Sequence, residues 1–443
     1  MDYTQNAKIS QVSEQTLILG VDVGSEVHFT RAFNWRGIEL SKKPFHFTND
    51  AGGFQSFLRW ADTYVKTIKA EKVLVGCEPT GHYWFNLAKY VTEQGMTLVL
   101  VNPYHVKQTK ELDDNSPSKN DRKDPKTIAQ LVKDGRYVIP YLPDGVYAEL
   151  RSAVATRDRI IKELNALTNR ITRMLKMYFP EYLKVYKKFS AESGMLLLET
   201  APFPADILRL GAEGVNQIWR AHKLRAVGMK RATTLVKAAQ SSVGLDAGPC
   251  VRLELQLLLE DFRTKQAQLE AITTVLEAET LKVPHVEKLL AIKGVGLITV
   301  AGFLAEVGEI GRFDSPKQIQ KLAGLELKEN SSGKHKGRTS ISKRGRKRLR
   351  KVLFQAVLPL IRSNAEFSEV YHYYTTRQNN PLKGKQAVVA VGCKLIRIFY
   401  AILTKGIDYD ANRLRSDRSS TGPPERTHNH TASGKTSANN GAG

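Results

Sequence analysis

Cysteine, acidic residues and long uncharged apolar runs are all scarce in this chain of 443 residues. Its three cysteines lie far apart and form no Cys-x-x-Cys pair, which excludes a disulfide framework and a cysteine zinc cluster and fits a reducing cytosol. The N-terminus has no apolar signal core, and the most apolar late stretch, residues 387–403, is interrupted by Lys394 and Arg397. We therefore expect a cytoplasmic protein without a membrane span, in which residues 387–403 form a buried helix.

The shortage of acids leaves a large positive charge. There are 44 Asp+Glu against 67 Lys+Arg, which gives a net charge of +23 and a pI near 9.7. A charge of this size and sign predicts a polyanionic partner, above all nucleic acid. The hydrophobic share of 42% is enough for packed cores and excludes a wholly disordered chain. The length suggests about three structural units.

The first 143 residues have the pattern of an α/β domain. Short apolar runs at residues 17–21, 73–77 and 97–101 predict strands covered on both faces. Residues 53–69 and 83–91, between these runs, have helical spacing.

Two long apolar stripes follow. Steps of four and three residues lead from Leu150 to Tyr178, with seven of nine positions apolar, and a second stripe leads from Leu255 to Leu276. Repeats of this length predict a coiled-coil seam, either within the chain or between protomers. A plain amphipathic helical bundle explains the same pattern equally well.

These patterns divide the rest of the chain into three parts. We expect a helical coiled-coil region over residues 144–283, in which residues 181–249 are broken by glycine and proline and give little information. Residues 284–406 predict a mostly α-helical C-terminal domain. Residues 407–443 lack an apolar period and predict a disordered tail.

Carboxylates fall where the predicted strands end. Asp22 and Glu78 each close an apolar strand, and Asp121 and Asp124 share one face at a helix start. A buried carboxylate is costly unless it is paired or binds a ligand. Oxygen donors of this kind in a basic protein favour Mg²⁺ or Mn²⁺, held partly by substrate phosphates. For Asp121 and Asp124, capping of the helix is an equally good interpretation.

A glycine turn and a basic segment mark the C-terminal domain. Lys293, Gly294 and Gly296 form a helix-hairpin-helix-like turn whose backbone N–H groups would approach a phosphate, although a simple tight turn explains it equally well. Residues 334–351 contain ten Lys or Arg and no acid, which predicts a phosphate-binding surface. We expect seven of these basic residues to contact nucleic acid: Lys334, Lys336, Arg338, Lys343, Arg344, Arg346 and Arg348.

At this point the sequence resembles the bridge-RNA-guided insertion-sequence transposase family. Asp22 after a first strand, Glu78 after a later one and the Lys-x-Asp-x-x-Asp element that contains Asp121 and Asp124 resemble its RuvC-like DEDD domain. Ser332-Gly333, followed by residues 341–345 (Ile-Ser-Lys-Arg-Gly), resembles its C-terminal serine transposase domain. The resemblance covers about residues 16–406 and is weakest over 181–249. One departure is a proline after Asp124 where the family usually has alanine.

The resemblance implies a DNA recombinase that excises and inserts a mobile element. Ser332 would attack the phosphodiester, and a metal-bearing DEDD site of Asp22, Glu78, Asp121 and Asp124, brought in from the other domain or protomer, would complete the active site. A guide RNA encoded by the element, element and target DNA, and a dimer or tetramer of the chain are the implied partners. Whether Ser331 or Ser332 attacks is left open.

Two other functions fit the residues alone. The four acids could hydrolyse DNA by two-metal catalysis, as in a RuvC-type nuclease with no covalent intermediate. The net charge of +23 would also suit a non-catalytic nucleic-acid-binding scaffold.

Overall fold

The computed structural model describes residues 5–113, 124–328, 331–332, 335–336 and 340–412. Within it the chain forms two compact units, Met1–Pro143 and Asp144–Gly443. The first unit is built around a mixed sheet and the second is mostly helical, which confirms the α/β-then-helical order expected from the sequence. The expectation of a disordered tail falls largely on residues 413–443, outside the described residues.

The first unit alternates strands and helices. In chain order its elements are α1 (Gln5–Ile9), β1 (Thr16–Asp22), β2 (Val27–Phe33), β3 (Phe45–Thr48), α2 (Ala51–Ile68), β4 (Lys72–Cys77), α3 (Trp84–Glu93), β5 (Thr97–Val101), α4 (Pro103–Asp113), α5 (Asp124–Lys133) and β6 (Tyr137–Val138).

The six strands form one sheet in the order β3-β2-β1-β4-β5-β6. The three central strands β1, β4 and β5 run parallel, while β2, β3 and β6 pair antiparallel with their neighbours. The central strands are the three apolar runs predicted from the sequence. Residues of α2 and α3 pack into an apolar core with one face of the sheet, and residues of α5 into a core with the other. Because both faces are covered, the central strands are apolar throughout.

The second unit contains twelve α-helices and four short strands among its described residues. In chain order they are α6 (Gly145–Tyr178), α7 (Tyr182–Val185), α8 (Glu192–Thr200), α9 (Pro204–Ala221), α10 (Met229–Gln240), α11 (Pro249–Leu281), α12 (Val286–Leu290), α13 (Leu297–Val307), α14 (Pro316–Leu322), β7 (Leu327–Lys328), β8 (Ser331–Ser332), β9 (His335–Lys336), β10 (Ser340–Ile341), α15 (Lys347–Ser363), α16 (Ala365–Thr376) and α17 (Gly384–Lys405).

The long helices α6 and α11 contain the two predicted stripes and pack against each other within one chain. Leu150 near the start of α6 shares a core with Leu276 near the end of α11, so the pair is antiparallel. At the other end, Leu175 of α6 shares a second core with Leu255 of α11 and with helices α7 to α10. The glycine- and proline-broken residues 181–249 therefore form a helical cap with its own core, centred on the fully buried Trp219.

The C-terminal helices pack on the first of these cores. Residues of α12 to α17 surround Phe303 and Phe399, whose rings meet edge to face with centroids 5.1 Å apart. Helix α17 is long and apolar enough to cross a membrane, but 56% of its most apolar window is buried inside the unit. It is the buried helix expected over residues 387–403, and Lys394 is itself only 7% exposed.

Candidate active site

The carboxyl edge of the central sheet places two acids side by side. Strands β1 and β4 are parallel neighbours, and Val21 is in register with Cys77. Asp22 is the last residue of β1, and Glu78 follows the end of β4 directly. The two acids therefore leave the same edge of the sheet at the same level. Both are half-buried, so they are accessible from this edge.

Two glycines in register bring a third acid to this edge. Gly20 of β1 pairs with Gly76 of β4, and α5 lies on both. A Cβ atom at Gly20 would come 1.8 Å from the backbone oxygen of Pro125, and one at Gly76 would come 2.5 Å from Cγ2 of Val132. Only glycine allows this close approach of the helix to the strands.

Helix α5 begins at Asp124, next to the tightest of these contacts. Side chains alternate across a strand, so Asp22 points to the same face of the sheet as Gly20, two residues earlier. That face is the one covered by α5. The packing of α5 on Gly20 therefore brings Asp124 toward the edge where Asp22 and Glu78 end their strands.

Lys110 and Asp124 both act on the charge of Glu78. Burial raises the pKa of the Glu78 carboxyl, the nearby Lys110 ammonium opposes that rise, and the negative charge of Asp124 adds to it. Lys110, on α4, also forms an ion pair with Asp124, whose side chain is 20% exposed. One lysine thus balances two carboxylates that repel each other.

This donor set is compatible with a hard divalent cation. Carboxylate oxygens are the ligands that Mg²⁺ and Mn²⁺ prefer, and a cation between Glu78 and Asp124 would relieve their mutual repulsion. Among the described residues, no three His, Cys, Asp or Glu side chains are gathered closely enough to form a complete metal site. Asp121, the fourth predicted ligand, lies outside the described residues.

The predicted nucleophile, Ser332, lies in strand β8, within the segment between β7 and β10 that we call the serine loop. Strand β8 pairs antiparallel with β9, and Ser332 stands opposite His335, with Ser331 opposite Lys336. Before and after this pair, β7 pairs with β10, so that Leu327 faces Ile341. Lys334 and Arg338 lie outside the described residues.

The segment after the loop is held by backbone hydrogen bonds. The N–H of Ser342 donates to the carbonyl of Glu326 at 2.7 Å, and the N–H of Arg346 donates to the carbonyl of Leu322 at 2.7 Å. Gly345 fits here because a Cβ atom would lie 2.4 Å from the carbonyl oxygen of Leu322. The Ile-Ser-Lys-Arg-Gly element is therefore a clamp that fixes where the serine loop ends.

The basic residues after the loop divide into two groups. Lys343 and Arg344 are exposed and have no ion pair within the described part of the chain. Arg346 and Arg348 instead lie 3.7 and 3.8 Å from the carboxylate of Glu306, which is only 7% exposed. Because these two guanidinium groups already balance an acid, they are less available to phosphates than the sequence suggested.

A second acid reinforces this arrangement. Asp158 of α6 lies 3.3 Å from both Arg348 and Lys351 of α15. These contacts join the long helix α6 to the start of α15, so this part of the basic segment also contributes to packing within the unit.

The glycine turn has a different explanation for each glycine. Gly294 has φ +96°, and a Cβ atom there would lie 2.6 Å from Oγ of Ser363, so glycine is needed for the turn and its packing. Gly296, at the start of α13, faces open space, and its neighbour Lys293 is exposed. Of the three predicted contacts, Lys293 and Gly296 are exposed, whereas Gly294 is explained by packing.

Sequence reasoning missed three residues of these sites. The sequence assigned no role to Lys110, Glu306 or Asp158, because local spacing does not show which distant residues a charge contacts. The role of Gly20 and Gly76 could have been predicted from the sequence. Gly-Val-Asp at residues 20–22 and Gly-Cys-Glu at residues 76–78 repeat one Gly-x-acid pattern at the ends of two strands.

Comparison with known proteins adds a family context. Residues 19–180 match a DEDD transposase family model of the IS110 type, and residues 286–372 match the model of the transposase IS116/IS110/IS902 family. The chain is 24% identical over 381 residues to the transposase for insertion sequence element IS1111A of Coxiella burnetii, which covers 84% of this chain and 90% of that protein. It is 22% identical over 346 residues to a probable family 20 transposase of Pseudomonas aeruginosa, covering 76% and 85% of the two chains. A pilin gene-inverting protein of Moraxella bovis is 30% identical over 134 residues, covering 30% of this chain and 41% of that protein.

Proposed function

Because this chain belongs to the IS110/IS116 family of transposases, we propose that it cuts and rejoins DNA through Ser332, assisted by a divalent metal at the carboxyl edge of the first unit. The observation that carries the metal assignment is the register of Gly20 with Gly76, which lets α5 bring Asp124 toward Asp22 and Glu78. The strand order around these acids supports a RuvC-like fold for this unit.

The serine chemistry conserves the number of phosphodiester bonds. The Ser332 hydroxyl gives up its proton, its oxygen attacks the phosphorus atom, and the bond to the departing deoxyribose oxygen breaks as that oxygen is protonated. The new serine–phosphate ester keeps the energy of the original bond. Attack by another deoxyribose hydroxyl then restores DNA without an external energy source.

The chain's own residues have separate roles in this scheme. Asp22, Glu78 and Asp124, with Asp121, would hold Mg²⁺ or Mn²⁺, which when bound stabilises developing negative charge on phosphate oxygens. Lys110 pairs with Asp124, and its positive charge opposes the rise that burial causes in the pKa of Glu78. Lys343 and Arg344, which are exposed and free of ion pairs within the described residues, bind the DNA backbone beside the serine loop.

The family resemblance adds the partners. We propose that the chain works as a dimer or tetramer in the cytoplasm and that an RNA encoded by the element directs it to its DNA. Helix α11 leaves Leu253, Leu257 and Val275 exposed, and these apolar side chains offer a surface on which protomers can join as a coiled coil. Sequencing the RNA that copurifies with the protein checks the guide, since its loops should match the ends of the element.

The decisive experiment looks for a covalent intermediate. The purified protein is incubated with element-end DNA, copurified RNA and Mg²⁺, and a protein–DNA adduct that survives denaturation is expected. Ser332→Ala should bind DNA and RNA normally but give no adduct and no recombinant, while Ser331→Ala, its neighbour in β8, should keep most activity.

Each alternative predicts a different result. Metal-dependent nicking without an adduct would support the RuvC-type nuclease, and salt-sensitive binding without cleavage would support the scaffold. An adduct mapped to Ser331 would move the nucleophile by one residue and keep the mechanism. Normal recombination by the Ser331/Ser332 double alanine variant would exclude it.

A further inference from the structure

The helical cap of the second unit contains a long basic stretch without acids. Residues 214–245 contain six Lys or Arg and no Asp or Glu. They cover the end of α9, the connecting turn and all of α10. Five of these cations are exposed and have no ion pair among the described residues: Arg220, Lys223, Arg225, Lys230 and Lys237. We call these five residues the cap surface.

The sixth cation and two acids of α8 have partners within the unit. The guanidinium of Arg231 lies over the ring of Tyr186, 5.4 Å from its centroid. On α8, the carboxylates of Glu192 and Glu199 pair with Arg263 of α11, at 2.8 and 2.9 Å. These two acids therefore share one guanidinium within the cap, and the five cations of the cap surface form no ion pair with them.

Helix α10 presents this charge in a regular way. Ala232, Leu235 and Ala239 are buried in the core of the cap and anchor one side of the helix. Lys230, Thr234 and Lys237 are exposed and spaced four and three residues apart, so they form a stripe along the other side. A helix fixed by its apolar side, with lysines at both ends of its outer stripe and a threonine between them, is a rigid and strongly hydrated surface.

We propose that the cap surface is a second DNA-binding site, with α10 lying in the major groove of duplex DNA. The positive charge matches a phosphate backbone, and the width of the B-DNA major groove admits an α-helix. Arg220, Lys223 and Arg225, at the end of α9 and in the turn, would contact phosphates beside the groove. Double-stranded RNA is excluded as the occupant because its major groove is too deep and narrow for a helix to enter.

The test compares two double variants of the full chain with equal loss of charge. Lys230→Gln with Lys237→Gln removes the stripe, while Lys162→Gln with Lys176→Gln removes two exposed lysines of α6. Affinity is measured from low to high salt for a duplex DNA of about three helical turns and for a double-stranded RNA of the same sequence. Thermal unfolding of each variant shows that the fold is intact.

The stripe variant should reduce the salt dependence of DNA binding by about 1.8 in the log–log slope, which corresponds to two lost phosphate contacts. The α6 variant should leave that slope unchanged, and neither variant should change the slope for RNA. An unchanged DNA slope in the stripe variant, an equal drop in the α6 variant, or an RNA slope that falls as much as the DNA slope would each overturn the proposal. This result is independent of the serine chemistry, because it measures binding alone.

Discussion

In the first unit two of the acids proposed for chemistry stand at the ends of buried strands, whereas in the second unit the proposed nucleophile stands in a strand of only two residues. Asp22 and Glu78 follow a register fixed by six paired positions between β1 and β4. Ser332 depends on two short pairings and on the clamp that follows them. The acids thus owe their position to a sheet core, and the serine owes its position to a few backbone hydrogen bonds.

This difference teaches where each site tolerates change. A strand end keeps its geometry when the side chain is replaced, since the buried neighbours hold the backbone. Substitution of an acid should therefore remove chemistry and leave the fold. Substitution of Gly20 or Gly76, on which α5 packs, should instead reduce the stability of the fold.

The largest expected effect comes from the acids themselves. Asp22→Asn and Asp124→Asn should each reduce strand cleavage by at least about 10²-fold while largely sparing DNA binding, because only a local charge is lost. Cleavage is measured with labelled element-end DNA in Mg²⁺. Asp134→Asn, which changes an acid just beyond the other end of α5, is the control and should cleave normally. Full activity of Asp22→Asn would remove the metal assignment.

The glycines beneath the acids should affect stability instead. Gly20→Ala should lower the free energy of unfolding of the first unit by about 3 kcal/mol, since its Cβ would meet a backbone oxygen that cannot move aside. Gly76→Ala should cost only about 1 kcal/mol, because the group it meets is a valine side chain.

Tryptophan fluorescence during urea unfolding can measure this difference. Three of the four tryptophans, Trp35, Trp60 and Trp84, lie in the first unit, and Trp219→Phe removes the signal of the second. Equal losses in the two glycine variants would contradict the proposed packing of α5.

In the second unit, two arginines of the basic segment should differ in how much they contribute to DNA binding. Arg344→Gln should lower the salt dependence of DNA binding by about 0.9 in the log–log slope, the value for one phosphate contact. Arg348→Gln should lower that slope less, because its guanidinium already pairs with Asp158 and Glu306. A slope change that is the same for both arginines would show that these acids do not compete with DNA.

The smallest expected effect is a pH dependence confined to the first unit. His28 is fully buried, and burial lowers its pKa from the usual 6.5. Below about pH 6.5 the unfolded chain binds a proton that the folded chain does not, so the stability of this unit should fall as the pH falls further. His28→Phe should weaken that dependence, as followed by the fluorescence of the three tryptophans at pH 7.5 and 5.5. A pH dependence that is the same with and without His28 would assign it to other groups.

The sequence predicted the centre of the first unit well and its edges poorly. The apolar runs at residues 17–21, 73–77 and 97–101 became β1, β4 and β5, because strands buried on both faces carry a continuous apolar signal. Strands β2 and β3 were not predicted. They mix polar and apolar residues at the side of the sheet, so their pattern is weaker.

In the second unit, different features of the structure could not be predicted from the sequence. Heptad spacing predicted α6 and α11 as long helices but left their partner open, and the structure pairs them with each other. The cap was not predicted, since its short helices and a kink at Gly211 obscure the period. Glu306 and Asp158 were missed for another reason. An ion pair between distant helices leaves no spacing in the sequence.

The paired helices α6 and α11 also determine the distance between the cap and the C-terminal helices. Leu150 and Leu175 belong to the two cores at opposite ends of α6, and 25 residues of helix span about 38 Å. One turn of B-DNA is about 34–36 Å long. A duplex that contacts both the cap and the C-terminal helices would therefore meet them about one turn apart, on the same side of the double helix. Protection from cleavage reagents would then recur with a period of about ten base pairs.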